Sequence, residues 1–397
     1  MSVQAPRVLK LGVAGLGRAF TLMLPAFRTD QRVKLVAAAD PRPAARATFA
    51  REFDGRTYQT VAALADDPDI DAVYIATPHQ VHAEHVALVA RAGRHILVEK
   101  PIAITLAECD RMIADTAAAN VHLIVGHSHS FDRPIIRARQ LIASGAYGPI
   151  GMIMAMNFGD FLYRPRRPEE LDTAQGGGVI FSQAAHQVDI VRLLGGGLVK
   201  TVRASTGNWD PCRSTEGAYS AHLTFDSGAF ASLTYSGYGH FDTDEICGGF
   251  AELGAAKDFS RYGEARAALA RVPDAGAEAA FKCERGYGGP RSAGPPTALA
   301  HEHFGMVLAS CSRADIRPFP DRVVVYGDAE WLTERLPPPT IPRVEVIDEL
   351  YAAVVDGRPP HHDGRWARAT LEVCLAMLES ARTGTEVSLR HQIAVPA

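Results

Sequence analysis

The sequence contains no long apolar run and no strong excess of charge of either sign. Its 397 residues include 41 Lys and Arg against 45 Asp and Glu, which gives a formal net charge of −4. A balance this close to neutrality gives no reason to expect a nucleic acid or an anionic membrane as a partner. No segment approaches the roughly 20 apolar residues that span a bilayer. The apolar run from Val8 to Val13 is too short for a secretory signal, so we expect a cytoplasmic protein.

The cysteines form no recognisable framework. The six are scattered and include no C-x-x-C pair. They are Cys109, Cys212, Cys247, Cys283, Cys311 and Cys374. This pattern suits a reduced protein better than a disulfide scaffold or a zinc ribbon. The histidines at 79–85 and 301–303 match neither H-E-x-x-H nor a cysteine–histidine zinc pattern, so we expect no metal site.

A glycine-rich turn follows the first apolar run. Gly12, Gly15 and Gly17 stand where a strand would give way to a helix. Such a turn lets backbone N–H groups reach a pyrophosphate at the helix N-terminus. Asp40 closes the next apolar run and is placed to hydrogen-bond the adenosine ribose. The two features together predict a dinucleotide-binding site.

The motif departs from G-x-G-x-x-G at its third glycine, where Phe20 stands. That position governs helix–strand packing, so we expect the first helix to sit differently while the cofactor still binds. Asp40 favours NAD, because a carboxylate repels the 2′-phosphate of NADP. Arg42 could offset that repulsion. NAD is therefore the predicted cofactor, and NADP stays open.

The chain is long enough for two or more domains. Up to about residue 127, short apolar strands alternate with amphipathic helices, which predicts an α/β Rossmann domain with a doubly wound parallel sheet over 1–127. Long strands in succession then predict an α+β domain with an antiparallel or mixed sheet over 128–397. Residues 248–300 are rich in Ala, Gly and Pro with little periodicity. We interpret them as a partly mobile insertion.

Ligands of parallel sheets bind at the carboxyl ends of the strands, where three loops carry unusual residues. These are Thr77-Pro78-His79, Glu99-Lys100-Pro101 and His127-Ser128-His129. Lys100 is the strongest candidate for chemistry, because a partly desolvated lysine has a lowered pKa and exchanges a proton near neutral pH. A solvated loop lysine is the alternative. The Lys100–Pro101 bond is a candidate cis peptide.

Several histidines are further candidates. His186 begins the helix after the glycine run at 176–178, and a histidine can accept an alcohol proton as hydride leaves. A single helix histidine is more often structural. His127 and His129 end a strand with side chains on the same side, so contact with a substrate is plausible there.

A cationic cluster lies beside Tyr163. Arg164, Arg166 and Arg167 could anchor an anionic substrate through bidentate guanidinium–carboxylate pairs. A solvated loop is the other interpretation of this cluster.

Together these residues resemble the glucose–fructose oxidoreductase / inositol dehydrogenase (Gfo/Idh/MocA) family over nearly the whole chain. The segments that carry the resemblance are Gly12 to Gly17, Ala76-Thr77-Pro78, Ala92-Gly93-Arg94-His95, Glu99-Lys100-Pro101, and the glycine run followed by His186 and Asp189. The resemblance implies a Rossmann domain and a domain with a large open, mostly antiparallel sheet. The exposed face of that sheet commonly forms a dimer or tetramer interface, so a homodimer or homotetramer is expected.

The resemblance also implies site residues. Lys100 and His186 would line the hydride-transfer site as catalytic residues. The residues expected to bind the dinucleotide are Gly12, Gly15, Leu16, Gly17, Arg18, Asp40, Arg42, Ala76, Thr77, Pro78, His82, Glu99 and Lys100. Those expected to contact a small anionic or polyhydroxylated substrate are His127, His129, Tyr163, Arg164, Arg166, Ser182 and Gln183.

One departure bears on the substrate. Sugar and cyclitol members of the family typically carry an aspartate four residues before the histidine, and Ser182 stands there. The usual Asp–His proton relay therefore cannot form with the same partners, which puts sugar-type substrates in doubt. Residues 178–189 and 311–328 show a narrower resemblance, to dehydrogenases of aromatic degradation that act on cis-dihydrodiols of phthalate.

The function implied is NAD(P)-dependent oxidation of a cis-dihydrodiol of a carboxylated aromatic ring to a catechol. The 4,5-dihydrodiol of phthalate is the first choice of substrate, and its two carboxylates would give the arginine cluster something to bind. An inositol-type or sugar dehydrogenase is the alternative enzyme. A non-catalytic dinucleotide-binding sensor is the alternative from another class, since fold does not fix function. Lys100 and His186 argue against the sensor.

Overall fold

The computed structural model describes residues 7–261, 263–292, 294 and 297–395. Its chain divides into two compact units. The first contains the described parts of Met1–His127, Phe281–Pro295 and Ile341–Arg368. The second contains those of Ser128–Ala280, Pro296–Thr340 and Ala369–Ala397. The first unit therefore includes two segments from the part of the chain that the sequence assigns to the second domain.

The first unit is built on a sheet that, in the described residues, has six strands in the order β3-β2-β1-β4-β5-β6. The strands are β1 (Leu9–Ala14), β2 (Val33–Ala39), β3 (Arg56–Tyr58), β4 (Ala72–Ile75), β5 (His95–Val98) and β6 (Leu123–Val125). Each neighbouring pair is parallel. The strand order changes direction between β1 and β4, and such a switch point is where open α/β sheets bind ligands. The predicted Rossmann fold is confirmed.

Helices of the first unit follow the strands as the sequence predicts. They are α1 (Arg18–Thr29), α2 (Pro43–Phe53), α3 (Val61–Ala65), α4 (His82–Arg91) and α5 (Leu106–Ala118). α5 begins at a capping box in which Thr105 accepts the backbone N–H of Glu108 and the Glu108 side chain accepts the backbone N–H of Thr105. This reciprocal pairing satisfies donors that have no partner inside the helix.

Phe20, at the third glycine position of the motif, is fully buried. Its ring centroid lies 6.4 Å from that of Phe49 on α2. It also lies 5.0 Å from the ring of Tyr287, edge to face. With phenylalanine in place of glycine, α1 packs through an aromatic cluster. Tyr287, from the segment that begins at Phe281, is part of that cluster.

The second unit is built on a mostly antiparallel sheet, with the order β14-β13-β12-β11-β7-β10-β9-β8-β15 over the residues described. Its strands are β7 (Ile150–Phe158), β8 (Val199–Gly207), β9 (Ala218–Phe225), β10 (Phe230–Ser236), β11 (Met306–Cys311), β12 (Ala314–Phe319), β13 (Arg322–Gly327), β14 (Trp331–Arg335) and β15 (Val387–Ser388). β7 and β10 pair in parallel, and the other neighbouring pairs of strands in the described residues are antiparallel. Along β7, Ile153 and Ala155 are buried while Met152 is exposed. The α+β class is confirmed.

The remaining helices are α6 (Arg133–Ala143), α7 (Ala185–Gly195), α8 (Glu264–Leu269), α9 (Ala275–Glu284), α10 (Val344–Val354) and α11 (Gly364–Thr383). α7 packs on β7 and β10. α8 and α9 lie within residues 248–300, where little periodicity suggested irregular chain. Both are rich in alanine, whose high intrinsic helix propensity needs no amphipathic repeat. None of the helices described combines the length and apolar composition required to cross a membrane.

Candidate active site

The glycine turn of the first unit has the geometry of a phosphate cradle. Gly15 adopts φ +92°, and a Cβ on it would lie 2.7 Å from the carbonyl oxygen of Ala76. Only glycine fits such a close approach at a positive φ. A Cβ on Gly17, at the start of α1, would meet nothing within 4 Å. The helix N-terminus is thus open toward a ligand, which is where a pyrophosphate binds. Gly12 instead packs against Ile70, 2.8 Å from its Cβ position.

Asp40 ties the end of β2 to this turn. Its carboxylate is 5% exposed and accepts the backbone N–H of Leu16 at 2.8 Å. Arg42 forms an ion pair with the same carboxylate at 3.0 Å. Arg18 lies exposed in the first turn of α1. These residues fit the adenosine side of NAD, and their direct contacts with it stay predictions.

Two loops at the carboxyl ends of β4 and β5 are joined by His82. One ring nitrogen lies 2.9 Å from the carbonyl oxygen of Thr77, and the other lies 3.1 Å from that of Pro101. Burial lowers the pKa of His82 to about 4, so the ring is neutral at physiological pH. A neutral imidazole has a single N–H, so His82 donates to only one of these carbonyl oxygens and packs against the other, between the loop of Ala76, Thr77 and Pro78 and the loop that carries lysine. A direct cofactor contact stays a prediction.

Lys100 is half-buried and follows Glu99, which is buried at the end of β5. The hydroxyl of Tyr74 donates to Glu99 Oε1 at 2.6 Å. Burial raises the pKa of Glu99, and the hydrogen bond from Tyr74 opposes the rise. The Lys100–Pro101 bond is cis, as the sequence suggested. Glu99 thus fixes the backbone from which Lys100 projects.

In the second unit, the glycine run 176–178 leads into α7 through a π-helical turn, Ile180–Ala184. Gly178 has φ +85°, and a Cβ on it would overlap Glu216 Oε1 and Thr215 Oγ1. Glu216 uses that space to accept the backbone N–H of Ile180 at 3.1 Å. The glycine is therefore required for the turn that places His186.

His186 is 6% exposed and packs against a second histidine, His129. Their ring centroids are 4.6 Å apart, edge to face. Phe304 packs on both rings at 5.1 Å. His129 Nδ1 pairs with Asp132 Oδ2 at 2.7 Å, and its Nε2 lies 3.7 Å from Glu252 Oε1. The second unit thus brings two histidines and two carboxylates together in one buried cluster.

The carboxylates of this cluster determine the charge of His129. Burial by itself would lower the pKa of His129, but Asp132 and Glu252 outweigh it and raise the pKa to about 9. Burial alone would likewise raise the pKa of Glu252, but its contact with His129 and the charge of Arg164 hold it well below its usual range. His129 is therefore an imidazolium ion at neutral pH. His129, Asp132 and Glu302 also bring ligand-type atoms within 4.8 Å of one another, although the hydrogen bond between the first two already forms an internal ion pair.

The other predicted substrate residues differ in what they contact. Ser182 donates to the carbonyl oxygen of Gly178. Gln183 Oε1 accepts the hydroxyl of Tyr235 at 3.2 Å. Tyr163 donates to Asp210 Oδ2 at 2.8 Å. His127 is the last residue of the first unit, whereas His129 belongs to the second.

The three arginines of the predicted cluster are not equivalent. Arg164 pairs with Asp160 at 2.8 Å and Arg167 with Glu169 at 3.1 Å. Arg166 is only 12% exposed in its side chain, and its nearest carboxylate oxygen, on Glu170, lies 4.0 Å away. Its guanidinium stacks on the ring of Phe161 at 3.5 Å, and its buried Nε atom has no hydrogen-bond partner. Burial lowers the pKa of Arg166 to about 10, which still leaves it charged.

Sequence reasoning missed Asp132 and Glu252. Asp132 stands three residues after His129 in a single turn, a spacing that places the two side chains together and could have been noticed. Glu252 lies in the aperiodic insertion, more than a hundred residues from its partner. No local pattern connects the two, and only the tertiary fold brings them together.

The ion pair of His129 predicts a pH dependence of stability. A histidine whose pKa is raised on folding stabilises the protein fully below its unfolded pKa of about 6.5, and this contribution is lost as the pH rises through the folded value. We therefore expect the free energy of unfolding in urea to fall by as much as about 3 kcal/mol between pH 6.5 and 9 as the pKa of about 9 is passed. The variant His129→Asn should lose this slope, and His222→Asn, at an exposed histidine of β9, should retain it. An unchanged slope in His129→Asn would contradict the assigned charge.

Comparison with known proteins adds to this geometry. Residues 9–127 match the profile of an oxidoreductase family with an NAD-binding Rossmann fold. Residues 135–248 match the profile of the GFO/IDH/MocA C-terminal domain. Each unit therefore contains a segment that matches a domain of the same enzyme family.

Curated relatives match the chain over different lengths. A 1-carboxy-3-chloro-3,4-dihydroxycyclohexa-1,5-diene dehydrogenase of Comamonas testosteroni is 48% identical over 377 residues, which cover 94% of this chain and 95% of that protein. The myo-inositol 2-dehydrogenase of Thermotoga maritima is 30% identical over 199 residues, covering 49% of this chain and 58% of that protein.

Solved structures agree on the fold. A Bordetella bronchiseptica RB50 protein superposes with a TM-score of 0.89 at 42% identity, covering 96% of this chain and all of that one (100%). The WlbA dehydrogenase of Bordetella pertussis, solved with NADH and UDP-GlcNAcA, superposes with a TM-score of 0.69 at 21% identity over 97% of this chain and 99% of that one. At that identity the likeness concerns the fold alone.

Proposed function

Since the chain belongs to the Gfo/Idh/MocA oxidoreductase family and uses NAD, we propose that it oxidises a cis-dihydrodiol of a carboxylated aromatic ring to the corresponding catechol. Within that class, the 4,5-dihydrodiol of phthalate is the substrate that we propose first. The observation that carries the proposal is the similarity to the Comamonas enzyme, whose name describes a carboxylated ring diol, over 94% of this chain.

Arg166 supports the carboxylate in the substrate. It is a buried cation whose nearest carboxylate, that of Glu170, is 4.0 Å away, and its Nε is not hydrogen-bonded. A buried guanidinium with incomplete pairing gains most from a carboxylate that completes its hydrogen bonds. Arg164 and Arg167 are less suited, because each already has a carboxylate within 3.1 Å.

The oxidation has a simple balance. One carbinol carbon loses hydride and its hydroxyl loses a proton, and the resulting ketone tautomerises to the catechol. NAD, when bound, would accept the hydride. Because the product regains aromaticity, the step is downhill and a modest proton acceptor suffices.

We assign the removal of the hydroxyl proton to Lys100 and His186. Lys100, in its neutral form, takes the hydroxyl proton at Nζ, and the loop held by Glu99 and His82 limits where the side chain can reach. His186 orients or shares the same proton. Ser182 carries no carboxylate, and its hydroxyl proton is donated to the carbonyl oxygen of Gly178, so it cannot supply the negative charge that an aspartate would.

His129 is a positioning residue in this proposal. Its ring, fixed by Asp132 at 2.7 Å, packs edge to face on His186 and so restricts the orientation of that imidazole. The His129–Asp132 pair thereby takes the place of the missing aspartate.

The proposal is tested by NADH formation on mixing the full-length protein and NAD with candidate alcohols. We expect turnover with the dihydrodiols of phthalate and benzoate, and a kcat/KM roughly 10- to 100-fold lower with the uncharged benzene dihydrodiol, because a charge-assisted hydrogen bond is lost. Arg166→Met should remove this difference by raising KM for the carboxylated diols. Arg167→Met is the matched control and should preserve it.

Other outcomes would redirect the assignment. If myo-inositol or an aldose were turned over faster than the dihydrodiols, the proposed substrate class would change from a dihydrodiol to a polyol. The absence of NADH formation with every diol and polyol would favour a dinucleotide-binding sensor.

A further inference from the structure

The loop that carries Arg166 has few backbone groups that can anchor it. A proline stands on each side of the pair Arg166 and Arg167, so only these two residues have a backbone N–H in that stretch. Arg167 donates its N–H to Glu170 Oε2 at 2.8 Å. Arg166 donates its N–H to Glu278 Oε1 at 2.7 Å, across 112 positions of the chain. The backbone anchor of Arg166 is therefore a carboxylate on α9.

Glu278 is also half of a buried ion pair. It lies in the first turn of α9, and both of its carboxylate oxygens accept Arg213 Nη1 at 3.0 Å. The side chains of Glu278 and Arg213 are 10% and 4% exposed, respectively. A buried cation is strongly unfavourable without a buried anion, so Glu278 compensates Arg213 at the same time as it holds Arg166. All three residues belong to the second unit.

The charge of Arg213 reaches Arg166. Burial lowers the pKa of Arg166, and the nearby charges of Arg164 and Arg213 lower it further. Arg164 is paired with Asp160 at 2.8 Å, and Arg213 is paired with Glu278 at 3.0 Å. Arg166 is the one of the three whose nearest carboxylate oxygen is 4.0 Å away. A ligand carboxylate therefore gains most at Arg166, where it completes the pairing of a guanidinium.

We propose that Glu278 sets the preference of this site for a carboxylated ring, because it fixes the backbone of Arg166 and neutralises Arg213. Glu278 is a positioning residue, since it acts through Arg166. The proposal rests on the function proposed above, in which Arg166 binds the substrate carboxylate. A guanidinium that is held in place beforehand loses less entropy when it binds a ligand. A buried part of residues 248–300 thereby contributes to substrate recognition.

The proposal is tested with two full-length double variants, Arg213→Met/Glu278→Gln and Arg213→Met/Glu278→Met. Removing Arg213 from both avoids an uncompensated buried charge. The first variant keeps an oxygen that can accept the N–H of Arg166, and the second has a side chain of similar size without one. We expect KM for the dihydrodiol of phthalate to be roughly tenfold or more higher in the second variant, because Arg166 is displaced. The values of kcat and the dissociation constants for NADH should be alike.

The uncharged benzene dihydrodiol separates positioning from general loss of structure. Its KM should be the same in the two double variants, because it has no carboxylate for Arg166. Glu278→Asp provides a further check, since it keeps the charge that compensates Arg213 but shortens the side chain by one methylene. This variant should raise KM for the phthalate diol and leave that of the benzene diol unchanged. An equal rise in KM for both diols would overturn the proposal.

Binding of phthalate itself, measured by titration calorimetry at saturating NADH, requires no turnover. We expect the variant with Glu278→Met to bind phthalate roughly tenfold or more weakly than the variant with Glu278→Gln. If this difference were found and no dihydrodiol were oxidised, the role of Glu278 would stand and the proposed function would fail. Equal KM values together with equal phthalate affinities would overturn the role of Glu278 and leave dihydrodiol oxidation intact.

Discussion

Replacing Lys100 by alanine is expected to lower kcat for dihydrodiol oxidation by about 10²- to 10⁴-fold, the usual contribution of a positioned acid–base group. NADH should still bind, because we expect most contacts with the nucleotide to come from the glycine turn and Asp40 rather than from this one side chain. Kinetics with NAD and fluorescence titration with NADH measure the two quantities on the same preparation.

Two further variants separate chemistry from charge. Lys100→Arg keeps the charge but cannot release a proton near neutral pH, so it should be as slow as the alanine variant. Lys34→Ala removes an exposed lysine of β2 and should turn over normally. Retained turnover in Lys100→Ala would remove the lysine from the mechanism, whatever its effect on NADH binding.

Replacing Gly178 by alanine should destabilise the protein by about 3 kcal/mol or more. An alanine in a left-handed conformation lowers the free energy of unfolding by roughly 1–2 kcal/mol, and overlap with a packed neighbour lowers it by a similar amount. Here φ is +85°, and the new Cβ would overlap Glu216 and Thr215. Glu216 also accepts the backbone N–H of Ile180, so moving it disturbs the turn that leads to His186. Urea unfolding of the variant measures the loss.

Gly159→Ala is the matched control for this change. A Cβ on Gly159 would meet nothing within 4 Å. We therefore expect its stability to lie within about 0.5 kcal/mol of the unaltered protein. If Gly178→Ala were equally mild, the glycine run would not be a steric requirement of the site.

Much of the fold could be predicted from the local pattern of apolar and polar residues. The apolar runs that became β1, β2, β4, β5 and β6 alternate with amphipathic helices, and a parallel sheet follows from that alternation alone. Short helices such as α8 escaped detection, because alanine-rich sequence forms helix without an amphipathic repeat.

The candidate site was accessible only in part. Lys100 stands out because it follows a buried strand next to a proline, and Ser182 because a characteristic position has changed. The sequence does not determine whether Arg166 is exposed or buried, because a run of arginines in a loop has the same local pattern in both cases. Its stacking on Phe161 and its distance from Glu170 distinguish it from the arginines on either side.

By itself the sequence determined the fold class, the nucleotide turn and the residues at the carboxyl ends of the strands, because each depends on neighbours within a few positions along the chain. Tertiary structure alone decided that Glu252 pairs with His129, and that Gly286 lies against Arg42. Those contacts join positions more than a hundred residues apart, and their energies depend on burial and on the balance of surrounding charge. Neither quantity exists until the chain has folded.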